Sequence, residues 1–280
     1  MLELRKINFA YKNNPHVIHD LSLTVNAGDF LAIVGRNGSG KTTLTRLIMS
    51  LLKPTTGEIF FQGNIIPNCT PAKMAHHIGY VFQNPDRQIF HDTVVEEASY
   101  GPKQLGYTLE QTSSFVTEAL AVTGLSELAG AYPLSLSKGQ KQRLTIASAL
   151  AMQPKMLILD EPTSGQDARQ RNQLLELLIK LNKQGTTILL VTHDMDLLSA
   201  CARRAIVMSK GHKAFDGPVT ELFQDTLQLK NWGLIEPAAL KISRELGAFG
   251  LKQTASIQEL SHDVGTLLGR YDHAHSSTHD

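Results

Sequence analysis

Gly35-Arg36-Asn37-Gly38-Ser39-Gly40-Lys41-Thr42, entered directly from the apolar run Leu31-Ala32-Ile33-Val34, decides the fold of this 280-residue chain. Spaced glycines followed by a lysine and a hydroxyl make a phosphate-binding loop when a strand lies behind them and a helix ahead. Gly35, Asn37, Gly38, Ser39 and Gly40 supply the cradle, in which backbone N–H groups converge on phosphate oxygens. The following helix, expected from Lys41 to about Leu52, adds a favourable dipole. Lys41 is placed to reach β- and γ-phosphates, Thr42 to offer a hydroxyl to Mg2+, and Thr43 to line the same site.

Working outward, residues 3–9, 17–25 and 30–34 read as strands, with a turn at Asn26-Ala27-Gly28-Asp29. Pro54 and Gly57 close the loop's helix, and residues 58–62 and 77–82 return to strand. From 93 to 152 the apolar period is helical. Strands return at 156–159, 186–191 and 205–208, around an amphipathic helix over 169–183 whose Leu174, Leu175, Leu177, Leu178 and Leu181 face a core. The expected class is α/β, with a helical insert interrupting the core. The main domain is expected over 1–223, with its helical part at about 85–152, and an extension over 224–280. In that extension a linker, Trp232-Gly233-Leu234-Ile235-Glu236-Pro237, leads to short helices over 238–246 and 257–268 and a polar tail from Tyr271.

A formal net charge of +1 weighs against nucleic acid as a partner. Cys69 and Cys201 have no metal-ligand spacing and read as reduced thiols. The start, Met1-Leu2-Glu3-Leu4-Arg5-Lys6, lacks a signal-peptide apolar block, and the apolar runs fall far below the ~20 residues of a spanning helix. Work at a membrane would therefore require docking onto another chain. His262, His273, His275 and His279 read as a solvated tail, with no role in the site.

Two further stretches carry chemistry. Met156-Leu157-Ile158-Leu159-Asp160-Glu161 is an apolar strand ending in two carboxylates. Asp160 is expected beside the phosphate loop, holding Mg2+ through water, with Glu161 left to polarise an attacking water. Leu136-Ser137-Lys138-Gly139-Gln140 opens a helix expected over 141–152, so Ser137 and the following N–H groups form a second anion site. One chain with two separated phosphate sites suits a nucleotide shared with another copy of the fold.

These blocks resemble the ATPase of ABC transporters over about the first 220 residues, with Leu136 to Gln140 similar to that family's signature motif. The resemblance implies a P-loop NTPase with a RecA-like core, an N-terminal antiparallel β subdomain, a helical signature subdomain and a small C-terminal helical extension. It implies ATP and Mg2+ as ligands and a dimer that sandwiches nucleotide against Ser137, Gly139 and Gln140. By position, Tyr11 would stack on adenine, and Gln83 would sense γ-phosphate and Mg2+ while linking to the membrane partner. Ser164-Gly165-Gln166-Asp167 would cross between subunits, bringing Asp167 to the nucleotide, and His193 would contact γ-phosphate and orient the water. Thr42, Gln83 and Asp160 would form the Mg2+ site, and Glu161, His193 and Gln83 the catalytic set. Two residues depart from the family pattern: Lys138 replaces a usual glycine, and Gln166 a usual aliphatic residue.

Gln83-Asn84-Pro85-Asp86-Arg87-Gln88-Ile89-Phe90 resembles the same segment in ATPases of energy-coupling factor (ECF) importers of vitamins, nickel or cobalt, and residues 232–268 resemble their dimerisation appendage. This implies a peripheral protein on the cytoplasmic face of the cell membrane, powering uptake of a vitamin-like substrate. Its partners would be a second ATPase, identical or paralogous, a transmembrane coupling protein met near Gln83 to Phe90 through Asp86 and Arg87, and a substrate-capturing membrane protein. The alternatives are the ATPase of a conventional ABC transporter, a soluble ABC-type ATPase of DNA repair or translation, and a non-catalytic interaction protein. A single cassette with a short helical insert argues against the soluble ATPase, and the complete set of site residues against the last.

Overall fold

The computed structural model describes residues 1–12, 14–65 and 70–276. Cys69 and His279, and the side chains of His273 and His275, lie outside that description.

Strands β1 (Leu2–Tyr11) and β2 (Asn14–Val25) pair antiparallel, with Leu2 opposite Val25, Leu4 opposite Leu23 and Phe9 opposite Ile18. Their apolar alternation buries one face, as expected of a half-buried sheet. The next strand, β3 (Phe30–Val34), is buried throughout and feeds the phosphate loop and helix α1 (Lys41–Ile48). That helix stops four residues before the expected end: Ser50 takes a left-handed φ of 55°, and the chain turns back ahead of Pro54. Strands β4 (Thr56–Phe61) and β5 (Asn64–Ile65) complete an antiparallel sheet of order β2-β1-β4-β5. A short helix, α2 (Pro71–Ala75), capped by Thr70, precedes β6 (Ile78–Val81).

The insert folds as α3 (Val94–Gln104), α4 (Leu109–Thr123) and α5 (Lys138–Ala151). Val94, Ala98, Val116, Leu120, Leu144 and Ala147 form its own apolar cluster. Each helix starts on a hydroxyl cap, Thr93, Thr108 or Ser137, and the last two have full capping boxes with Gln111 and Gln140. The third helix therefore begins at Lys138, earlier than the sequence suggested, because Ser137 itself is the cap.

The chain then returns through β7 (Met156–Asp160), α6 (Ala168–Lys183), β8 (Thr187–Val191), α7 (Met195–Cys201), β9 (Arg204–Ser209) and β10 (His212–Pro218). The second sheet has the order β10-β9-β3-β8-β7-β6, parallel except for β10. The sequence reading did not anticipate β10. Lys210 and Gly211, at φ 49° and 81°, make a two-residue hairpin turn whose twist matches the flanking strands. The central strand β3 is covered on both sides. Phe30, Ala32 and Val34 pack toward Leu174, Leu178 and Leu198, while Leu31 and Ile33 pack toward Leu44, Leu47 and the antiparallel sheet.

Beyond the sheet come α8 (Val219–Leu222), α9 (Thr226–Asn231), α10 (Ala238–Glu245) and α11 (Ile257–Ser276), the last longer than expected. Leu229, Leu234 and Leu240 join the core cluster of α6 and α7, whereas Ala239, Leu251 and Leu260 form a small satellite. No helix among the described residues is long and apolar enough to cross a membrane.

Glu97, 4% exposed, holds the segment after β6 in place. Its Oε2 accepts the N–H groups of Phe90 and His91, both at 3.0 Å, and His91 Nδ1 at 3.1 Å. Glu97→Ala strands those donors, for an expected loss of about 2 kcal/mol. At ~2–4 °C per kcal/mol, a thermal melt should fall by about 4–8 °C, and an unchanged melt would show the segment held by something else.

Candidate active site

At the end of β3 the chain bends through Gly35 (φ 151°), Gly38 (φ 81°) and Gly40 (φ 103°) before α1 begins. Lys41 is 7% exposed, and its Nζ donates to the carbonyls of Gly35 at 2.6 Å and Arg36 at 3.1 Å. Burial pushes its ammonium pKa down, opposed by the charges of Glu161 and Asp160. Ser39 is 4% exposed and its buried Oγ has no hydrogen-bond partner in the protein. A buried hydroxyl without a protein partner, in a glycine-rich loop beside a buried lysine, fits a loop that receives an anion. Tyr11 stands at the edge of this loop, its hydroxyl 3.3 Å from Thr43 Oγ1 and its ring edge-on to Phe9.

Strand β7 delivers the two carboxylates. Asp160, 6% exposed, accepts from Thr42 Oγ1 at 3.2 Å and from the Tyr80 hydroxyl at 3.3 Å, both through Oδ2. Burial pushes its carboxyl pKa up, against the pull of those two hydroxyls. Glu161 follows with a left-handed φ of 50°, a conformation rare for a residue with a side chain and one that concentrates at functional sites. Its amide donates to Val191 O at 2.8 Å, fixing the turn, and its carboxylate lies 2.7 Å from His193 Nδ1. A carboxylate only accepts, so Nδ1 carries the proton and Nε2 of this exposed ring is left for another partner. Lys41, Thr42, Asp160, Glu161 and His193 thus gather at the C-terminal edge of the parallel sheet. Gln83, two residues beyond β6, is exposed.

Ser137, Gly139, Gln140 and Asp167 gather apart from that group. They line a polar cleft of about 340 Å³ between the N-terminal ends of α5 and α6. Ser137 Oγ accepts from Gln140 N at 3.3 Å, and Asp167 Oδ1 accepts from Gln170 N at 2.8 Å, so each caps its own helix. Both departures from the family pattern fall here: Lys138 Nζ lies against the Gly165 backbone, and Gln166 lines the cleft while its Nε2 donates to Pro162 O at 3.1 Å.

Asp86 is exposed and pairs within the chain as well, with Lys141 Nζ 2.8 Å from its Oδ1. Lys141 lies in the first turn of α5, so the segment after Gln83 is tied to the helix that Ser137 caps. Sequence reading also passed over Tyr80 and Glu97, since neither sits in a recognisable pattern.

A family model described as ABC transporter matches residues 18–164. A protein of Pyrococcus furiosus named for ABC transporter ATP binding is 40% identical over 265 residues, covering 95% of this chain and 100% of that one. The chain belongs to the ABC transporter family. A longer ABC relative from Caldanaerobacter subterraneus is 36% identical over 260 residues, covering 93% of this chain and 45% of its own length. Among solved structures, CbiO1 of Clostridium perfringens, described as part of the ABC transporter complex CbiONQ, aligns with a TM-score of 0.75 and 33% identity over 82% of this chain and 93% of that one. The ABC cassette MJ0796, solved as a dimer in a post-hydrolysis state bound to ADP and Pi, aligns with a TM-score of 0.70 and 28% identity over 78% of this chain and 99% of that one. The expected fold is therefore observed: an ABC ATPase with an α/β P-loop core, an antiparallel β sheet and a helical subdomain. Its activity is ATP hydrolysis coupled to transport.

Proposed function

We propose that this ABC ATPase powers an ECF-type importer at the cytoplasmic face of the cell membrane, taking up a vitamin-like substrate. The observation that carries the ECF reading is the likeness to CbiO1 across 82% of the chain, together with Gln83 to Phe90. The partners would be a second ATPase, a transmembrane coupling protein docking at Arg87, and a substrate-capturing membrane protein.

In this reading ATP lies on the loop from Gly35 to Thr43, with Tyr11 against adenine and Lys41 exchanging its carbonyl bonds for phosphate oxygens. Ser39 gains the partner its hydroxyl lacks. Mg2+ fits the donors present, since Thr42 Oγ1 and Asp160 supply hard oxygens within 3.2 Å of one another and Gln83 is free to approach. When bound, that ion would neutralise phosphate charge. Glu161 takes a proton from the attacking water, His193 holds Glu161 through Nδ1 and turns Nε2 to the γ-phosphate, and Ser137, Gly139, Gln140 and Asp167 of the second copy close the site. Loss of γ-phosphate removes what both subunits share, and the dimer opens.

The test is to purify the tagged chain from membranes and identify every companion by mass. Wild type should bring down a coupling protein and a substrate-capturing protein, and Arg87→Glu should lose both while still binding ATP. Companions that are paired conventional transporter subunits would remove the ECF reading. Intact assembly and transport in Arg87→Glu would remove the docking surface.

A further inference from the structure

Tyr80 belongs to none of the motifs that the family resemblance assigns, yet its hydroxyl ends on the catalytic edge of the sheet. Strand β6 pairs in parallel with β7, setting Tyr80 opposite Ile158 and Val81 opposite Leu159. From there the side chain reaches forward to Asp160 Oδ2 at 3.3 Å, while Thr45 Oγ1 of α1 lies 3.0 Å from the same hydroxyl. The carboxylate can only accept, so the phenol proton points at Asp160, and the single Thr45 hydroxyl proton is shared between the phenol oxygen and the Thr42 carbonyl, which also lies 3.0 Å from Thr45 Oγ1. Thr45, which is fully buried, thereby sets its hydroxyl against that of the tyrosine. The same residue is anchored from the other side, where Gln88 donates to its carbonyl at 3.4 Å and accepts from Phe82 N at 3.2 Å.

The terminal torsion of an aspartate is broad, so a lone carboxylate does not choose which oxygen it presents. Outer hydrogen bonds make that choice for carboxylates that ligate metals. We propose that Tyr80 is a positioning residue that orients the Asp160 carboxylate for a divalent cation, by holding Oδ2 with its phenol. This rests on the assignment of Asp160 to a Mg2+ site. The phenol touches neither nucleotide nor cation; it sets the geometry of the group that does.

The experiment measures ATP affinity by calorimetry in EDTA and at graded Mg2+, for wild type, Tyr80→Phe and Thr45→Val. Tyr80→Phe keeps the ring and its edge-on contact with Phe82 and loses only the hydroxyl. Its affinity in EDTA should stay within about twofold of wild type, while the Mg2+ concentration for half-maximal enhancement rises roughly tenfold. Thr45→Val removes the hydroxyl beside the phenol but spares the bond to Asp160, so its Mg2+ midpoint should move roughly threefold or less. A structural role alone would lower both melting temperatures and leave both midpoints in place, which overturns the proposal. A wild type indifferent to Mg2+ would overturn the cation site itself and this role with it. A dependent wild type with an unchanged Tyr80→Phe overturns the role of Tyr80 only.

Discussion

Glu161→Gln should cut steady-state ATP turnover by about two to four orders of magnitude while leaving ATP binding close to wild type. The amide has the shape of the carboxylate but cannot take a proton from water, so a base is removed and little else changes. Glu161 is held by its own amide on Val191 O at 2.8 Å and faces His193 Nδ1 at 2.7 Å, so the substituted group stays in the site. The strained turn at φ 50° is also kept, because glutamine meets the same backbone cost. With γ-phosphate retained, two copies should remain bridged, and light scattering in ATP should show a stable dimer that wild type reaches only transiently. Turnover within a few-fold of wild type would assign proton abstraction elsewhere.

Gly35→Ala should be strongly damaging. A β-carbon there would stand 2.2 Å from the carbonyl oxygen of Met208 and 2.8 Å from Ser39 Oγ. Met208 lies on β9, hydrogen-bonded beside β3, so the clash is with sheet backbone and no side chain can swing away. Overpacking of this kind costs about 3 kcal/mol, and at ~2–4 °C per kcal/mol the melt should fall by about 6–12 °C. ATP binding should be lost in the fraction that remains folded, since Ser39 must also shift. Gly28→Ala is the comparison: it too sits at positive φ (79°), but nothing lies within 4 Å of the added carbon. Equal losses in the two variants would mean that backbone strain, and not the contact with Met208, sets the cost.

What the sequence disclosed is what is written in contiguous residues. The phosphate loop, the carboxylate pair after β7 and the serine cap before α5 each combine a fixed spacing with a strand or helix end, so residue types and local structure point the same way. The central strands were legible for a related reason: burial on both faces turns them into unbroken apolar runs. Tyr80 was not legible, because its bond to Asp160 spans 80 residues and exists only through the parallel register of β6 with β7. The Asp86–Lys141 pair, 55 residues apart, was hidden in the same way, and an acidic residue beside Arg87 read as a surface charge. Strand β10 escaped because His212-Lys213-Ala214-Phe215-Asp216-Gly217 lacks a clean apolar alternation, leaving the Lys210-Gly211 turn as its sole cue.

The Lys41 ammonium, bonded to the Gly35 and Arg36 carbonyls, bears on how its replacement should be interpreted. Those bonds staple the stretch of chain on which the lysine itself rides, and so help to set the curvature of the cradle. Removing the amine therefore deletes a brace along with a charge. A Lys41→Ala protein that fails to take up ATP reports both losses at once, and it is a poor yardstick for the worth of either.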